Sequence, residues 1–293
     1  MQVNPGNCQH IGTRSSQQDA FGFSDKDDQT FVAHGGVLAV VADGMGGMAY
    51  GGEASHIAVQ TFLRSYMAKL VDESVPVALL QALSEANQAV VNLSLEVGEE
   101  NVGTTLVAAV VHGDVLHWVA VGDSRLYLLR NGKLTQLTQD HVFAIELDRD
   151  AANGVISLEE AQHHPERPAL TSFLGLTELD LIDKNPQSFA LLDRDNLMLC
   201  SDGFYAALEE KEIAGCLNGD AQKLAEELVT LVLAKERSGQ DNLTVAILGL
   251  SVLANPCYDS NEITTWCPPA TAGRTTPMVA RWWTAKFMAA PAP

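Results

Sequence analysis

The chain is poor in positive charge, in aromatic rings and in long apolar runs. Lysine and arginine number 18 against 37 aspartate and glutamate, a formal net charge of −19. A protein that gains affinity by neutralising phosphates needs the opposite balance, so nucleic acid and anionic membrane are excluded as partners held by bulk charge. No stretch approaches the roughly 18 to 20 apolar residues of a membrane span, and Met1 to Ala20 is polar, without the apolar core of a secretory leader. The five cysteines, Cys8, Cys200, Cys216, Cys257 and Cys267, are odd in number and far apart, with no CxxC pair. That excludes a thiolate zinc site or a dithiol redox motif and points to reduced thiols. These absences together predict a soluble, cytoplasmic protein.

What is present is enough for a sizeable core: 293 residues, 46% of them hydrophobic, as one large domain or two small ones. Apolar runs rich in Val and Leu occur at Val37–Ala42, Thr104–Val111, Val115–Val121, Ser124–Arg130, Asn196–Cys200 and Leu243–Leu250, each bounded by Gly, Asp or Asn. They read as strands. His112-Gly113-Asp114, Gly122-Asp123 and Asn131-Gly132 fall between neighbouring runs at hairpin spacing, so an antiparallel meander is expected in the middle of the chain. Helical spacing appears between Gly52 and Val71, again after Pro76 through Leu93, and from Ala221 to Glu236. Asp150 to Gly175 reads as a polar connection with a short helix near Leu158–Gln162. Segregated strands and helices argue for an α+β fold with helices covering sheet faces. Beyond Leu250 the periodicity ends, which places a boundary near residue 252. The tail after it reads as a flexible linker, or as a short docking segment around Trp282, Trp283, Phe287 and Met288.

The chemistry is carried by acids at strand ends. Asp43 in VVADGMGG, Asp123 in VAVGDSR, Asp202 in LMLCSDG and Asp241 in GQDNLTV each follow or precede an apolar run, and Asp19 stands in RSSQQDAFG. Carboxylates that converge without basic partners repel unless a cation neutralises them. An all-oxygen donor set without clustered Cys or His suits a hard ion, Mg²⁺, Mn²⁺ or Ca²⁺, and the EF-hand pattern is absent. The glycines after Asp43 form a bend in which a backbone carbonyl can approach a metal. They match neither GxGxxG nor GxxxxGK[ST], so a nucleotide loop is set aside. His34, His56, His112 and His117 read as structural, whereas His141, beside Asp140, stands out.

Taken in order, RSSQQDA, VADGMGGMAYGGEAS, VGTTLV, VGDSRLYLLRNGKLTQLTQDH, GVISLEEAQHHPERPALTSFLG, LCSDGFY and QDNLTVAIL resemble the motif series of the type 2C metal-dependent protein phosphatases, bacterial branch, over about residues 10 to 250. The resemblance implies a central antiparallel β-sandwich flanked by helix pairs. It also implies two Mn²⁺ or Mg²⁺ ions at one end and hydrolysis of phosphoserine and phosphothreonine in proteins. By the same resemblance Asp43 bridges both metals, the Gly44 carbonyl binds one, and Asp202 and Asp241 hold the other. Asp19 orients metal-bound water, Arg14 contacts substrate phosphate, and Asp123 with Asp202 holds a third, weaker ion. A phosphoprotein substrate, a cognate Ser/Thr kinase and a monomeric state complete what it implies.

The chain departs from that pattern in places. Gln18 stands where some relatives have Glu, Met45 replaces the histidine that eukaryotic relatives use as general acid, Val142 replaces a Ser after the Asp-His pair, and Pro168 stands where Asn is common. Two other readings compete. A catalytically silent domain that binds a kinase or phosphoprotein would have no need to keep all five acids. A metal-dependent nuclease fits the carboxylates but not the acidic surface.

Overall fold

The computed structural model describes residues 1–45, 50–99, 101–185, 187–216 and 220–252. The tail from residue 253, with Cys257, Cys267 and the Trp282 to Met288 segment, lies outside them, as do Gly46 and Gly47. Two antiparallel sheets form from strands that bury both faces. One has the order β1 (Gln2–His10), β11 (Leu243–Ser251), β10 (Asn196–Cys200), β6 (Arg125–Arg130), β7 (Lys133–Gln136). The other runs β2 (Asp19–Phe23), β3 (Val37–Asp43), β4 (Leu106–His112), β5 (Val115–Val121), β8 (Asp183–Lys184), with β9 (Phe189–Ala190) also paired to β5.

Period-two alternation explains why the strand runs are apolar throughout. On β3, Val37, Ala39 and Val41 face the opposite sheet, while Leu38, Val40 and Ala42 face outward, under α2 (Gly51–Met67) and α3 (Val75–Val97). On β11, Ala246, Leu248 and Leu250 enter the inter-sheet core, and Val245 and Ile247 lie under α8 (Ala221–Leu233) with Leu224, Leu228 and Val232. The result is four layers, helix, sheet, sheet, helix, as the resemblance implies. Smaller helices are α1 (Gln29–Gly35), α4 (Phe143–Ala152), α5 (Leu158–His163), α6 (Asp202–Tyr205) and α7 (Glu210–Gly215). Among the described residues no helix is long and apolar enough to cross a membrane. Cys8, Cys200 and Cys216 are free thiols.

Two of the expected hairpins are real. Gly113-Asp114 closes β4 on β5, and Asn131 and Gly132, both at positive φ (53° and 74°), close β6 on β7 as the twist of a two-residue turn requires. The continuous meander is not. Strands β5 and β6 belong to different sheets, and Gly122-Asp123 carries the chain from one to the other. Gly122 sits at φ +100°, a conformation a β-carbon would strain. The periodicity of single strands cannot tell a hairpin from a crossing, because both need a glycine turn. β1 also escaped the apolar reading: it is an edge strand, where Pro5 and polar residues are tolerated. Helix α4 buries only Leu147, so no apolar stripe announces it; it begins ahead of the polar connection expected from Asp150, within which α5 falls where the short helix near Leu158–Gln162 was read.

Leu199 is fully buried between the sheets, whereas Leu231 on α8 is partly exposed. Leu199→Ala is expected to cost about 2 to 5 kcal/mol of unfolding free energy, against about 0.5 kcal/mol or less for Leu231→Ala. Urea titration of both variants measures the difference.

Candidate functional site

The sandwich topology gathers the strand-end acids at one end. Asp19 opens β2 and pairs directly with Asp43 at the end of β3. Asp123 occupies the sheet crossing, Asp202 begins α6 just after β10, and Asp241 precedes β11. Asp43 lies within hydrogen-bonding reach of both Asp19 and Asp202, and Asp123 is close enough to Asp202 for their charges to interact.

Asp19 is 6% exposed. Its Oδ2 accepts hydrogen bonds from Ser201 Oγ and Thr244 Oγ1, both at 2.7 Å, while its Oδ1 is buried with no partner. Burial, opposed by those two hydroxyls and raised further by Asp202, pushes its pKa up to about 6. Burial and the Asp202 and Asp140 charges push Asp123 up to about 7, with Tyr205 Oη donating to it at a long 3.4 Å. Burial, then the carboxylates of Asp19, Asp202 and Asp123, hold Asp43 well above the usual carboxylate range. Burial raises Asp202 as well.

The backbone around Asp43 is fixed on three sides. Its N–H donates to Thr105 Oγ1 at 3.0 Å, its carbonyl accepts from the Thr105 N–H at 2.9 Å, and Thr105 Oγ1 is 2.7 Å from Ser124 Oγ, one residue beyond Asp123. Gly44 donates its N–H to the Gln18 carbonyl, and a β-carbon there would stand 2.1 Å from the Gly51 carbonyl oxygen. Only glycine lets the chain turn in that space. The side chain of Arg14 pairs with Asp241 at 2.6 Å. Both groups are well exposed, at 47% and 38%.

The sequence profile of the protein phosphatase 2C family matches residues 8–244. The chain belongs to that family. It is 35% identical over 230 residues to the serine/threonine phosphatase Stp of Listeria welshimeri, covering 77% of this chain and 86% of the relative. Among solved structures it is similar to the serine/threonine phosphatase of S. agalactiae, with a TM-score of 0.72, 27% identity, and coverage of 85% of this chain and 100% of the other. It is similar also to the catalytic domain of the phosphatase PstP in complex with two manganese ions, with a TM-score of 0.66, 27% identity, and coverage of 85% and 99%.

Within this phosphatase fold, the donor chemistry fits divalent cations. The five acids offer only hard oxygen donors, Asp19 Oδ1 is an orphaned buried acceptor, and the Gly44 bend keeps side-chain bulk away from the backbone. Among the described residues, however, no three His, Cys, Asp or Glu side chains already form a metal cage.

Several supporting residues lie inside the motif segments without a role that the segments themselves assign. Asn242 accepts from the Gln18 N–H and donates to the carbonyls of Ile11 and Ser16, and the Gln240 carbonyl accepts from the Thr13 N–H, so residues 240–242 hold the loop that bears Arg14. Ser201 and Thr244 are legible only once Asp19 is seen between them. Gln18 contributes through its backbone, its carbonyl accepting from Gly44 and from Ser55 Oγ. Val142 has no side-chain acceptor at the start of α4, and the Phe143 and Ala144 N–H groups donate instead to the carbonyls of Ala169 and Arg167. His34, His56 and His112 bond to Thr30, Gln60 and Ala33, as structural histidines do.

Asp19 and Asp123 bind protons more tightly folded than unfolded, where the value is 3.8. The folded state therefore holds the extra protons between about pH 4 and 7, and metal-free protein loses stability as pH rises through that window. Urea midpoints taken from pH 4 to 8 should fall, Asp123→Asn should flatten the upper part of the decline, and added Mn²⁺ should reverse it near pH 7.

Proposed function

We propose that the protein hydrolyses phosphoserine and phosphothreonine in proteins, opposing a Ser/Thr kinase in the cytoplasm, as a monomer and with Mn²⁺ or Mg²⁺. The observation that carries this reading is the convergence of five buried or half-buried acids, with an exposed arginine at their edge, on a fold whose relatives are named serine/threonine phosphatases. In it residues 1–252 form the catalytic domain and 253–293 a tail or linker.

Asp43, the Gly44 carbonyl, Asp202 and Asp241 would hold two divalent ions, and Asp123 with Asp202 a weaker third. Bound there, such ions lower the pKa of a coordinated water and neutralise charge on the phosphoryl oxygens. The chain's own residues supply the rest. Asp19, anchored through Oδ2 by Ser201 and Thr244, has Oδ1 unpartnered, and that oxygen would accept from a water and fix its orientation. Arg14 binds the phosphate. Its exposed pair with Asp241 is worth about 1 kcal/mol or less, so a phosphate dianion can take the guanidinium over with a charge-assisted bidentate contact. No protein nucleophile is needed. Burial raises the Cys200 thiol, on the inner strand β10, far above its ordinary value, which keeps it inert.

Phosphate release from phosphothreonine peptides with Mn²⁺ tests the reading. Asp43→Asn should lower kcat by about a thousandfold or more, because the charge shared by both ion sites is lost; near-normal turnover at saturating Mn²⁺ would refute it. For Arg14→Ala, Mn²⁺ affinity should stay unchanged while KM rises and kcat falls. Asp123→Asn separates two roles for the crossing residue. Asn serves a turn equally well, so full activity with an unchanged weak Mn²⁺ isotherm in calorimetry would remove Asp123 from the ligand set.

A further inference from the structure

Beside the carboxylate cluster lies a cavity of about 370 Å³ between α4 and residues 180–183, within the roughly 300 to 1,000 Å³ typical of ligand sites. Its charge is uneven. Of the acids in its wall, Asp140 is spent on a bidentate pair with Arg125, and Asp183 accepts from the Gln139 N–H. Glu146 and Asp180 have no hydrogen bond or ion pair among the described residues. Arg149 is the one cation in the described lining, and its ion pair is with Asp150, at 3.8 Å. Ile145 and Leu181 add exposed apolar surface.

His141 gives a second, independent sign of a ligand. It is 8% exposed and lines the cavity. Its N–H donates to the Gly122 carbonyl at 2.9 Å, and its Nδ1 accepts from the Gly122 N–H at 3.2 Å. Accepting at Nδ1 leaves the proton of the neutral imidazole on Nε2, and burial favours that neutral form. Nε2 has no partner among the described residues. A peptide carbonyl seated in the cavity would accept from it.

We propose that this cavity docks a cationic side chain, arginine or lysine, of the phosphoprotein substrate, held by Glu146 and Asp180, at a fixed number of residues from the phosphorylated one. The proposal rests on the phosphatase reading for its substrate and deepens it by naming the flanking chemistry. The site adjoins the acids: His141 clamps Gly122, next to Asp123, and the Arg125 guanidinium stacks 3.6 Å over Tyr205, whose hydroxyl reaches Asp123. An extended peptide advances about 3.3 Å per residue, so a cation seated here selects one offset. The net charge of −19 attracts any basic peptide, but it selects no offset and survives the loss of two acids.

The test uses fluorescent phosphothreonine peptides with a single arginine moved through successive positions of an alanine background. Binding to the metal-free full chain is read by anisotropy, and phosphate release with Mn²⁺ is read separately. One offset should bind about tenfold tighter than the all-alanine peptide. The Glu146→Gln/Asp180→Asn variant should abolish that preference, with unchanged turnover of p-nitrophenyl phosphate as evidence of an intact fold. The control Asp72→Asn/Glu85→Gln, on the α2–α3 side, should keep it. No preferred offset, a preference that survives in the cavity variant, or equal loss in the control would each overturn the docking site. Preference in binding without phosphate release from any peptide would uphold the site and overturn the phosphatase reading instead.

Discussion

Burying several carboxylates together is the constraint around which this molecule is arranged. Asp19, Asp43, Asp123 and Asp202 each lose hydration at the sandwich end, and the charges of Asp19, Asp202 and Asp123 raise the proton affinity of Asp43 further. Such a cluster is unfavourable in the free protein. It persists because the surrounding structure is strong enough to hold it: three apolar layers, two inter-sheet faces and a helical cover on each side, none of which depends on the acids. The acid cluster is the least favourable part of the fold, and stability comes from the layers around it.

The support is local and directional. Thr105 joins the Asp43 backbone to Ser124, so the two corners of the cluster that come from β3 and from the sheet crossing move together. Ser201 and Thr244, from neighbouring strands β10 and β11, fix one oxygen of Asp19 and leave the other unspent. A carboxylate oriented in this way through one oxygen is pre-organised to offer the second, which costs less at the moment of use than ordering a free side chain.

The layers were legible because alternation and helical spacing report burial directly: Val115–Val121 and Asn196–Cys200 appear as strands with the bounds read from the sequence, and Ala221 begins its helix as expected. The edge strand β1 and helix α4 were not, since neither needs an apolar face. Asp43, Asp123, Asp202 and Asp241 were legible as strand-end acids, yet which strands are neighbours is a property of the topology. The sheet crossing at Gly122-Asp123 shows the limit, because the same dipeptide closes a hairpin or changes sheets depending on contacts far away in sequence. The roles of Asn242 and Thr244 were illegible for the same reason: their partners, Gln18 and Asp19, lie more than two hundred residues away along the chain.

Two arginines meet the acidic end and their surroundings sort them into different tasks. Arg125 grips Asp140 through Nε and Nη2 and stacks on Tyr205, with side-chain exposures of 23% and 14% for the pair. A planar fork with one face stacked and its edges hydrogen-bonded has little freedom to leave, so this charge is committed to Asp140 and to the Tyr205 ring, whose hydroxyl reaches Asp123. Arg14 makes a single contact to Asp241 at the surface and gives up little when it lets go. In a chain carrying twice as many acids as bases, Arg14 is the exchangeable positive charge at the edge of the cluster, the one that on the proposed phosphatase reading would receive a phosphate dianion.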